Sequence, residues 1–397
     1  MQYRNFGKLE WKVSALGFGA MRLPLLDQNP AHIDEPKAIR MIRYAIDNGV
    51  NYLDTAFPYH MGNSEKLVGK ALQDGYRSKI RLATKLSSFM IRSPQDFDRY
   101  LEAQFKRLQT SQIDFYLLHS LNASSWSQLR DWKVLPWAEK KIREGKIGYL
   151  GFSFHDEFAV FKSILDYYDN WTFCQIQYNY LDANRQAGRR GVEYAAAKGL
   201  GIVVMEPLRG GQLAKKPSVI VNRAWGDAAA KKSRVEWAFQ WLWNQPEIST
   251  VLSGMSEMKQ VVDNVIYASR SRPGILTTQD LALFTRIIRA YENLAPIPCT
   301  ACRYCQPCPH NVAIPDIFRI YNEMFTADDP GYGSFAYAGP QGLKEEQRAN
   351  NCQECGECLQ VCPQKIPIPA LLKKIHHDLT AGDHASGQPP APPSFEE

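Results

Sequence analysis

From residue 14 to about 254 the chain alternates short apolar runs with longer stretches in which apolar residues recur every three or four positions. The runs Ala15–Phe18, Val50–Asp54, Ile80–Ala83, Phe115–Leu118, Ile147–Phe152, Phe173–Gln177, Ile202–Met205 and Ser249–Leu252 read as strands buried on both faces. Between them Glu35–Asn48, Ser64–Asp74, Pro94–Leu108, Ser153–Tyr168, Arg189–Lys198 and Ser233–Asn244 read as amphipathic helices. Strands that alternate with helices run parallel, and eight of them predict an α/β chain closed into a (β/α)8 TIM barrel. An open doubly wound sheet is the alternative. It places Gly-x-Gly-x-x-Gly after its first strand, and Gly17-Phe18-Gly19-Ala20-Met21 does not continue that way. A helix over Thr277–Asn293 closes the barrel pattern.

Past a linker at Ala295-Pro296-Ile297-Pro298 the pattern changes to an internal duplication. Cys308-Pro309-x-x-Val312-x-Ile314-Pro315-x-Ile317 recurs as Cys362-Pro363-x-x-Ile366-x-Ile368-Pro369-x-Leu371. The expected organisation is a barrel over 1–290, a small helical and irregular ferredoxin-like domain over 291–380, and a polar, Pro-rich, disordered tail over 381–397.

Composition narrows the function classes. Apolar residues make up 45% of the chain, ample for a barrel core. The 47 Lys and Arg against 41 Asp and Glu leave a net charge of +6, and basic residues occur in scattered pairs such as Lys140-Lys141 and Lys231-Lys232. A solvated surface accounts for them, and no nucleic-acid partner is expected. The amino terminus lacks an apolar core of a secretory signal, and no stretch reaches the roughly 18 apolar residues of a membrane span, so the expected location is cytoplasmic, away from membranes. Eight of the nine cysteines lie after residue 298, in two tight groups. Clustering of that kind points to metal rather than to a disulfide scaffold. Cys174, alone on an apolar run, reads as core packing, and so does the Trp237, Trp241 and Trp243 stripe.

Cys352-x2-Cys355-x2-Cys358-x3-Cys362-Pro363 matches the bacterial ferredoxin run position for position, and Cys299-x2-Cys302-x2-Cys305-x2-Cys308-Pro309 is one residue shorter before its last cysteine. In two-cluster ferredoxins the fourth ligand comes from the other run. Two [4Fe–4S] clusters are therefore expected, one on Cys299, Cys302, Cys305 and Cys362, the other on Cys352, Cys355, Cys358 and Cys308. The rival is a pair of structural zinc sites, which use well-separated Cys-x2-Cys knuckles.

Candidate chemistry for the barrel sits at its strand ends, where barrel enzymes keep their active sites. Asp54 and Tyr59 in NYLDTAFPYH, Lys85 in RLATKL and His119 in YLLHS lie at or just past the C-terminal ends of three consecutive candidate strands. A tyrosine that donates a proton near neutral pH needs its ionisation eased from about 10 by an adjacent ammonium. Lys85 can be that ammonium, with Asp54 to keep it charged and His119 to hydrogen-bond a substrate carbonyl.

Over roughly residues 1–290 the chain resembles the aldo-keto reductase superfamily. Asp54-Thr55-Ala56 with Tyr59, Asn63-Ser64-Glu65 and Gly69-Lys70-Ala71-Leu72 look like that family's first signature, and Ala83-Thr84-Lys85 and Leu117-Leu118-His119 like its next two stations. The resemblance implies Tyr59 as proton donor, Lys85 and Asp54 as its tuning pair, His119 as the orienting residue, and NAD(P)H as the hydride carrier. It also implies nucleotide contacts: Ser153 and Gln175 at the carboxamide, and Pro207, Leu208 and Gly210 over the pyrophosphate. Gly254, Ser256, Gln260 and Asn264 look like the adenosine-binding stretch of the potassium-channel β-subunit-like branch, with Asp263 where that branch has Glu. Two positions depart from the family: Met205 replaces an aromatic that stacks on the nicotinamide, and Phe154 replaces the usual Asn. His155, near the same rim, reads as a loop residue. Lys259, Arg209 and Lys215 are candidate partners for a 2′-phosphate. End to end, the arrangement resembles a bacterial iron–sulfur subfamily of these enzymes.

The expected function is a nicotinamide-dependent carbonyl or alcohol oxidoreductase whose clusters exchange electrons with the active site or a redox protein partner. The alternative is an electron-transfer or redox-sensing module with structural clusters and little small-molecule turnover. The four intact catalytic residues favour the first.

Overall fold

In the computed structural model all residues are described except 28, 293, 295–296, 325–331, 340–341 and 381–397. The expected disordered tail lies outside the described residues, as do two residues of the expected linker. The chain divides into two compact units. The first is Met1–Pro207 with Glu236–Leu276, and the second is Leu208–Val235 with the described residues from Thr277 onward.

The first unit opens on an antiparallel hairpin, β1 (Tyr3–Phe6) and β2 (Leu9–Ser14). Eight parallel strands then close into a barrel: β3 (Leu16–Gly19), β4 (Tyr52–Asp54), β5 (Arg81–Ser87), β6 (Ile113–Leu121), β7 (Ile147–Phe154), β8 (Phe173–Gln177), β9 (Gly201–Met205) and β10 (Thr250–Gly254). Each pairs with its neighbour in chain order, and β10 returns to β3. This is the expected (β/α)8 fold. The helix Glu35–Asp47 shows why the pattern worked: Asp34 caps it by accepting from the Lys37 N–H, and Ala38, Met41, Ile42 and Ala45 bury one face.

The hairpin is absent from the sequence-based scheme, and it decides which end of the barrel is open. Phe6 is fully buried, its ring 4.9 Å from that of Phe115, 5.6 Å from Phe173 and 6.1 Å from Tyr52. Gly7 turns the hairpin at φ 57°, where a Cβ would fall 2.4 Å from the Gly201 amide nitrogen. Aromatic packing thus plugs the N-terminal mouth, and chemistry is left to the C-terminal rim. A second difference concerns the helix expected from Ser153. It begins at Phe158, because Ser153 and Phe154 complete β7. Asp156 then turns the chain by accepting from the Ala123 and Glu157 N–H groups. Cys174 and the three tryptophans are core, as expected.

The second unit contains the helix Thr278–Glu292, which packs on Val219–Trp225, and the duplicated cysteine segment. Its two copies end in the helices Ile314–Met324 and Ile368–Thr380. Equivalent side chains, Ile314 and Ile368, Ile317 and Leu371, Tyr321 and Ile375, meet in one buried core. The backbone repeats as well. Ala301, Arg303 and Asn311 have positive φ in the first copy, and Glu354, Gly356 and Lys365 have it at the matching places in the second.

Candidate active site and cysteine centres

At the open rim of the barrel the structure brings the four candidate catalytic side chains together. Lys85, completely buried on β5, donates to Asp54 Oδ1 at 2.5 Å and to the Thr55 carbonyl at 2.7 Å. Gln175, from β8, donates to the other oxygen of Asp54 at 3.0 Å. The Lys85 ammonium lies 5.0 Å from the centre of the Tyr59 ring, whose centre is in turn 6.0 Å from that of His119. Burial pulls the Lys85 ammonium below its usual range and the Asp54 carboxyl above its own, and their mutual attraction opposes both shifts. The ionised pair places its positive end 5.0 Å from the centre of the phenol ring.

His119 is buried on β6, its Nδ1 3.1 Å from Ser87 Oγ, and its backbone carbonyl accepts from Ser88 Oγ at 2.7 Å. Burial, reinforced by the Lys85 charge and by His155, puts its pKa well below the ordinary histidine value. The ring is neutral at pH 7, fit to donate a hydrogen bond but not to act as a cationic acid.

Behind this set is a polar layer that the strand-end argument did not reveal. Glu65, fully buried, accepts from Thr84 Oγ1 at 2.7 Å and from Gln104 Nε2 at 2.9 Å. Gln104 also donates to the Lys85 carbonyl at 2.9 Å and accepts from the Tyr116 hydroxyl at 2.8 Å. Glu65 belongs to the stretch that carries the resemblance, and the negative charge it brings also favours the Lys85 ammonium.

The nucleotide candidates fall into separate places. Ser153 closes β7, where its Oγ accepts from the Ser120 N–H at 2.7 Å, and Gln175 touches Asp54 directly. Gly254 ends β10. Gln260 accepts from the Ser256 and Glu257 N–H groups at 2.9 and 3.2 Å, so the start of helix Met258–Ser269 is capped from within. Asn264 is buried and donates to Ser253 Oγ at 3.1 Å. Pro207 ends the first unit, while Leu208 and Gly210 belong to the second. There the Gln212 carboxamide donates to the Cys299 carbonyl at 2.6 Å, and a Cβ on Gly210 would meet the Thr300 carbonyl at 2.2 Å. Of the 2′-phosphate candidates, Lys259 is paired with Asp263 at 2.7 Å and Lys215 with Glu323 at 3.0 Å.

His155 continues from β7, its backbone N–H donating to the Leu121 carbonyl at 2.9 Å, and its ring Nδ1 is buried without a hydrogen-bond partner. Burial lowers its pKa to about 4. With His60 and His119, also lowered by burial, it gives the barrel a proton linkage of definite sign. As pH falls through about 6.5 the unfolded chain takes up protons that the folded chain refuses, so stability is lost on acidification. Each such histidine weakens the folding equilibrium by at most about tenfold per pH unit. Unfolding followed at pH 7, 6 and 5 should show a shallower loss in His155→Gln than in the wild type, and equal slopes would remove His155 from the linkage.

In the second unit none of the eight clustered cysteines is tied up in a disulfide. One cavity is lined by Cys299, Cys302, Cys305 and Cys362, and another by Cys308, Cys352, Cys355 and Cys358, with Cys305 at its edge. Burial and the neighbouring Cys299 and Cys362 push the Cys305 thiol up to about 12, and burial with Cys352, Cys355 and Cys308 pushes Cys358 up to about 11. Such crowded thiols give up their protons together only to bound positive charge. The Ala301 N–H donates to Cys299 Sγ at 3.4 Å, and the backbone at Ile366, Gln364 and Lys365 favours the Cys362 thiolate against its burial. Four thiols spaced around each hollow fit the donor set of a [4Fe–4S] cluster.

The model of the Aldo/keto reductase family matches residues 15–282, and that of a 4Fe-4S dicluster domain matches residues 298–366. The chain is similar to the uncharacterized oxidoreductase YrpG of Bacillus subtilis, 30% identical over 238 residues that cover 54% of this chain and 69% of that protein. It is 27% identical over 315 residues to L-galactose dehydrogenase of Arabidopsis thaliana, covering 74% of this chain and 96% of that one. Among solved structures, the holo form of aldo-keto reductase AKR11C1 from Bacillus halodurans aligns with a TM-score of 0.61 at 27% identity, over 72% of this chain and 96% of its own. No helix among the described residues is long and apolar enough to cross a membrane.

Proposed function

This chain belongs to the aldo/keto reductase family, and on that footing we propose that it is a nicotinamide-dependent oxidoreductase interconverting a small-molecule carbonyl and its alcohol. Residues 1–290 form its reductase domain, and residues 291–380 carry two [4Fe–4S] clusters that exchange electrons with the active site or with a redox protein. The observation that carries this reading is the buried Lys85–Asp54 pair beside Tyr59 and a neutral His119.

Each group has a role its surroundings support. Tyr59 gives its phenolic proton to the carbonyl oxygen, and the Lys85 ammonium stabilises the phenolate left behind. Asp54, held on both oxygens by Lys85 and Gln175, keeps Lys85 protonated despite its burial. His119 donates a hydrogen bond to the same carbonyl oxygen and orients it. Ser153 and Gln175 hold a carboxamide, Pro207, Leu208 and Gly210 a pyrophosphate, and Gly254, Ser256, Gln260 and Asn264 an adenosine. When bound, the nicotinamide supplies the hydride and the clusters accept or give single electrons. Cys299, Cys302, Cys305 and Cys362 hold one cluster, and Cys308, Cys352, Cys355 and Cys358 the other.

Anaerobic purification followed by metal, sulfide and nucleotide analysis and a panel of aldehydes and ketones with NADH and NADPH tests this reading. The expected result is about eight iron and eight sulfide per chain, as two cubanes require, with carbonyl-dependent nucleotide oxidation. Zinc in place of iron would remove the clusters from the proposal, and a panel without turnover would remove the reductase.

A further inference from the structure

The turn that carries Tyr59 has an unusual backbone. His60, Met61 and Gly62 follow one another at φ 52°, 54° and 88°, all left-handed, and two of the three carry a Cβ. Side chains disfavour that conformation, so a run of it persists only where the surroundings hold it. The His60 side chain ties the turn to a neighbouring segment. Its imidazole turns inward and is buried, and both nitrogens are used. Nε2 accepts from the Leu23 N–H at 3.1 Å, and Nδ1 donates to the Pro30 carbonyl at 2.8 Å. Accepting at one nitrogen and donating at the other selects a single neutral tautomer. Asn63, one residue past the turn, adds a bond from its carboxamide to the Ala31 carbonyl at 3.0 Å.

All three partners lie in one segment, the connection from β3 to the helix Glu35–Asp47. That segment folds back on itself through the Leu26 N–H to His32 carbonyl bond at 2.9 Å and a Leu25–Ile33 bridge. Asp27 and His32 meet within it at 2.8 Å. The segment presents Leu26 at 72% exposure, while the Tyr59 turn presents Met61 at 72%. Phe89, after β5, is 38% exposed with its ring 5.7 Å from that of His119. Three large apolar side chains therefore stand in water on the loops after β3, β4 and β5, the loops that border the catalytic four. Scattered exposed apolar residues need no explanation, but three on successive loops of the rim that carries the catalytic set are a candidate binding surface.

We propose that His60 is a positioning residue that clamps the 23–33 segment to the Tyr59 turn, and that the rim so fixed selects carbonyls borne on an apolar aryl or branched-alkyl group, seated against Leu26, Met61 and Phe89. The selectivity rests on the carbonyl-reductase reading. The clamp does not. Glutamine is the informative replacement for His60, because its carboxamide can also accept from Leu23 and donate to Pro30, whereas leucine can do neither.

The test joins steady-state kinetics to hydrogen exchange on the full chain. The wild type should prefer 4-isopropylbenzaldehyde to glycolaldehyde in kcat/KM. Leu26→Ser with Met61→Ser should shrink that preference about tenfold or more, the usual worth of apolar contacts in a pocket. His60→Leu should raise KM for the aryl aldehyde about tenfold, as the loss of two buried hydrogen bonds implies, and should speed amide exchange in the peptide spanning 21–33. His60→Gln should restore most of both. Equal impairment of the Gln and Leu variants, or unchanged exchange in His60→Leu, would overturn the clamp. A preference that ignores the Leu26 and Met61 changes would overturn the selectivity. If the wild type reduces neither aldehyde with either nucleotide, the reductase reading and the selectivity fall together, and exchange still decides the clamp.

Discussion

Tyr59→Phe is expected to lower kcat for carbonyl reduction by about 10²–10⁴-fold, the usual worth of a general acid, with nucleotide affinity unchanged. The substitution removes one oxygen and keeps the ring, so the packing against Lys85 and His119 survives. The size of the effect follows from the lack of a substitute donor among the neighbours. His119 is held neutral by burial and by the Lys85 charge, so no imidazolium is at hand near pH 7. Asp54 spends both oxygens on Lys85 and Gln175. Lys85 spends two of its hydrogens on Asp54 and the Thr55 carbonyl, and giving up a proton would leave the Asp54 carboxylate buried without its counter-charge. Single-turnover reduction under anaerobic conditions isolates the chemical step. A variant that keeps more than about half of the wild-type rate there would show that the proton comes from elsewhere.

Much of this arrangement could be read from the sequence, and the places where it could not share a physical cause. All eight barrel strands announce themselves as apolar runs because parallel strands are covered on both faces. The expected runs stopped at Ala83 and Leu118, whereas β5 continues to Ser87 and β6 to Leu121. The top of the barrel interior is polar, so a rule that follows apolar residues ends a strand where the chemistry begins. The helix expected from Ser153 begins too early for the same reason. The hairpin escaped because its contribution is a single side chain, Phe6, whose burial depends on rings from three distant strands. Strand-end placement was enough to bring Asp54, Tyr59, Lys85 and His119 into one list. It could not reveal Glu65 and Gln104, which act behind the rim from two helices, nor the His60 clamp, whose partners are backbone groups with no sequence signature. The grouping of Gly210 and Gln212 with the cysteine-bearing unit is likewise a matter of backbone carbonyls, those of Cys299 and Thr300.

The proposed exchange of the fourth cysteine between the two runs leads to an expected result of comparable size. Cys362→Ala should remove the cluster of the first run, and Cys308→Ala that of the second, each costing about half of the iron. Sequence supplied only the analogy, but the cavities now supply a geometric reason. Cys362 lines the hollow of Cys299, Cys302 and Cys305, and Cys308 lines that of Cys352, Cys355 and Cys358. The influences on thiol ionisation run the same way, with Cys362 acting on Cys305 and Cys308 on Cys358. Crossing also suits the architecture. Each copy of the duplication delivers its last cysteine just before its own helix, and both helices share one core, so a crossed cluster would tie one copy's run to the other copy's helix. Loss of either fourth ligand should therefore loosen both helices, and Cys362→Ala should lower thermal stability as much as Cys308→Ala does. Paramagnetic spectra of the reduced, anaerobically prepared variants assign each loss to a cluster. Spectra in which Cys362→Ala spares the first-run signal and Cys308→Ala spares the second would show that each run closes on its own fourth cysteine, and the coupled loss of stability would then have no basis.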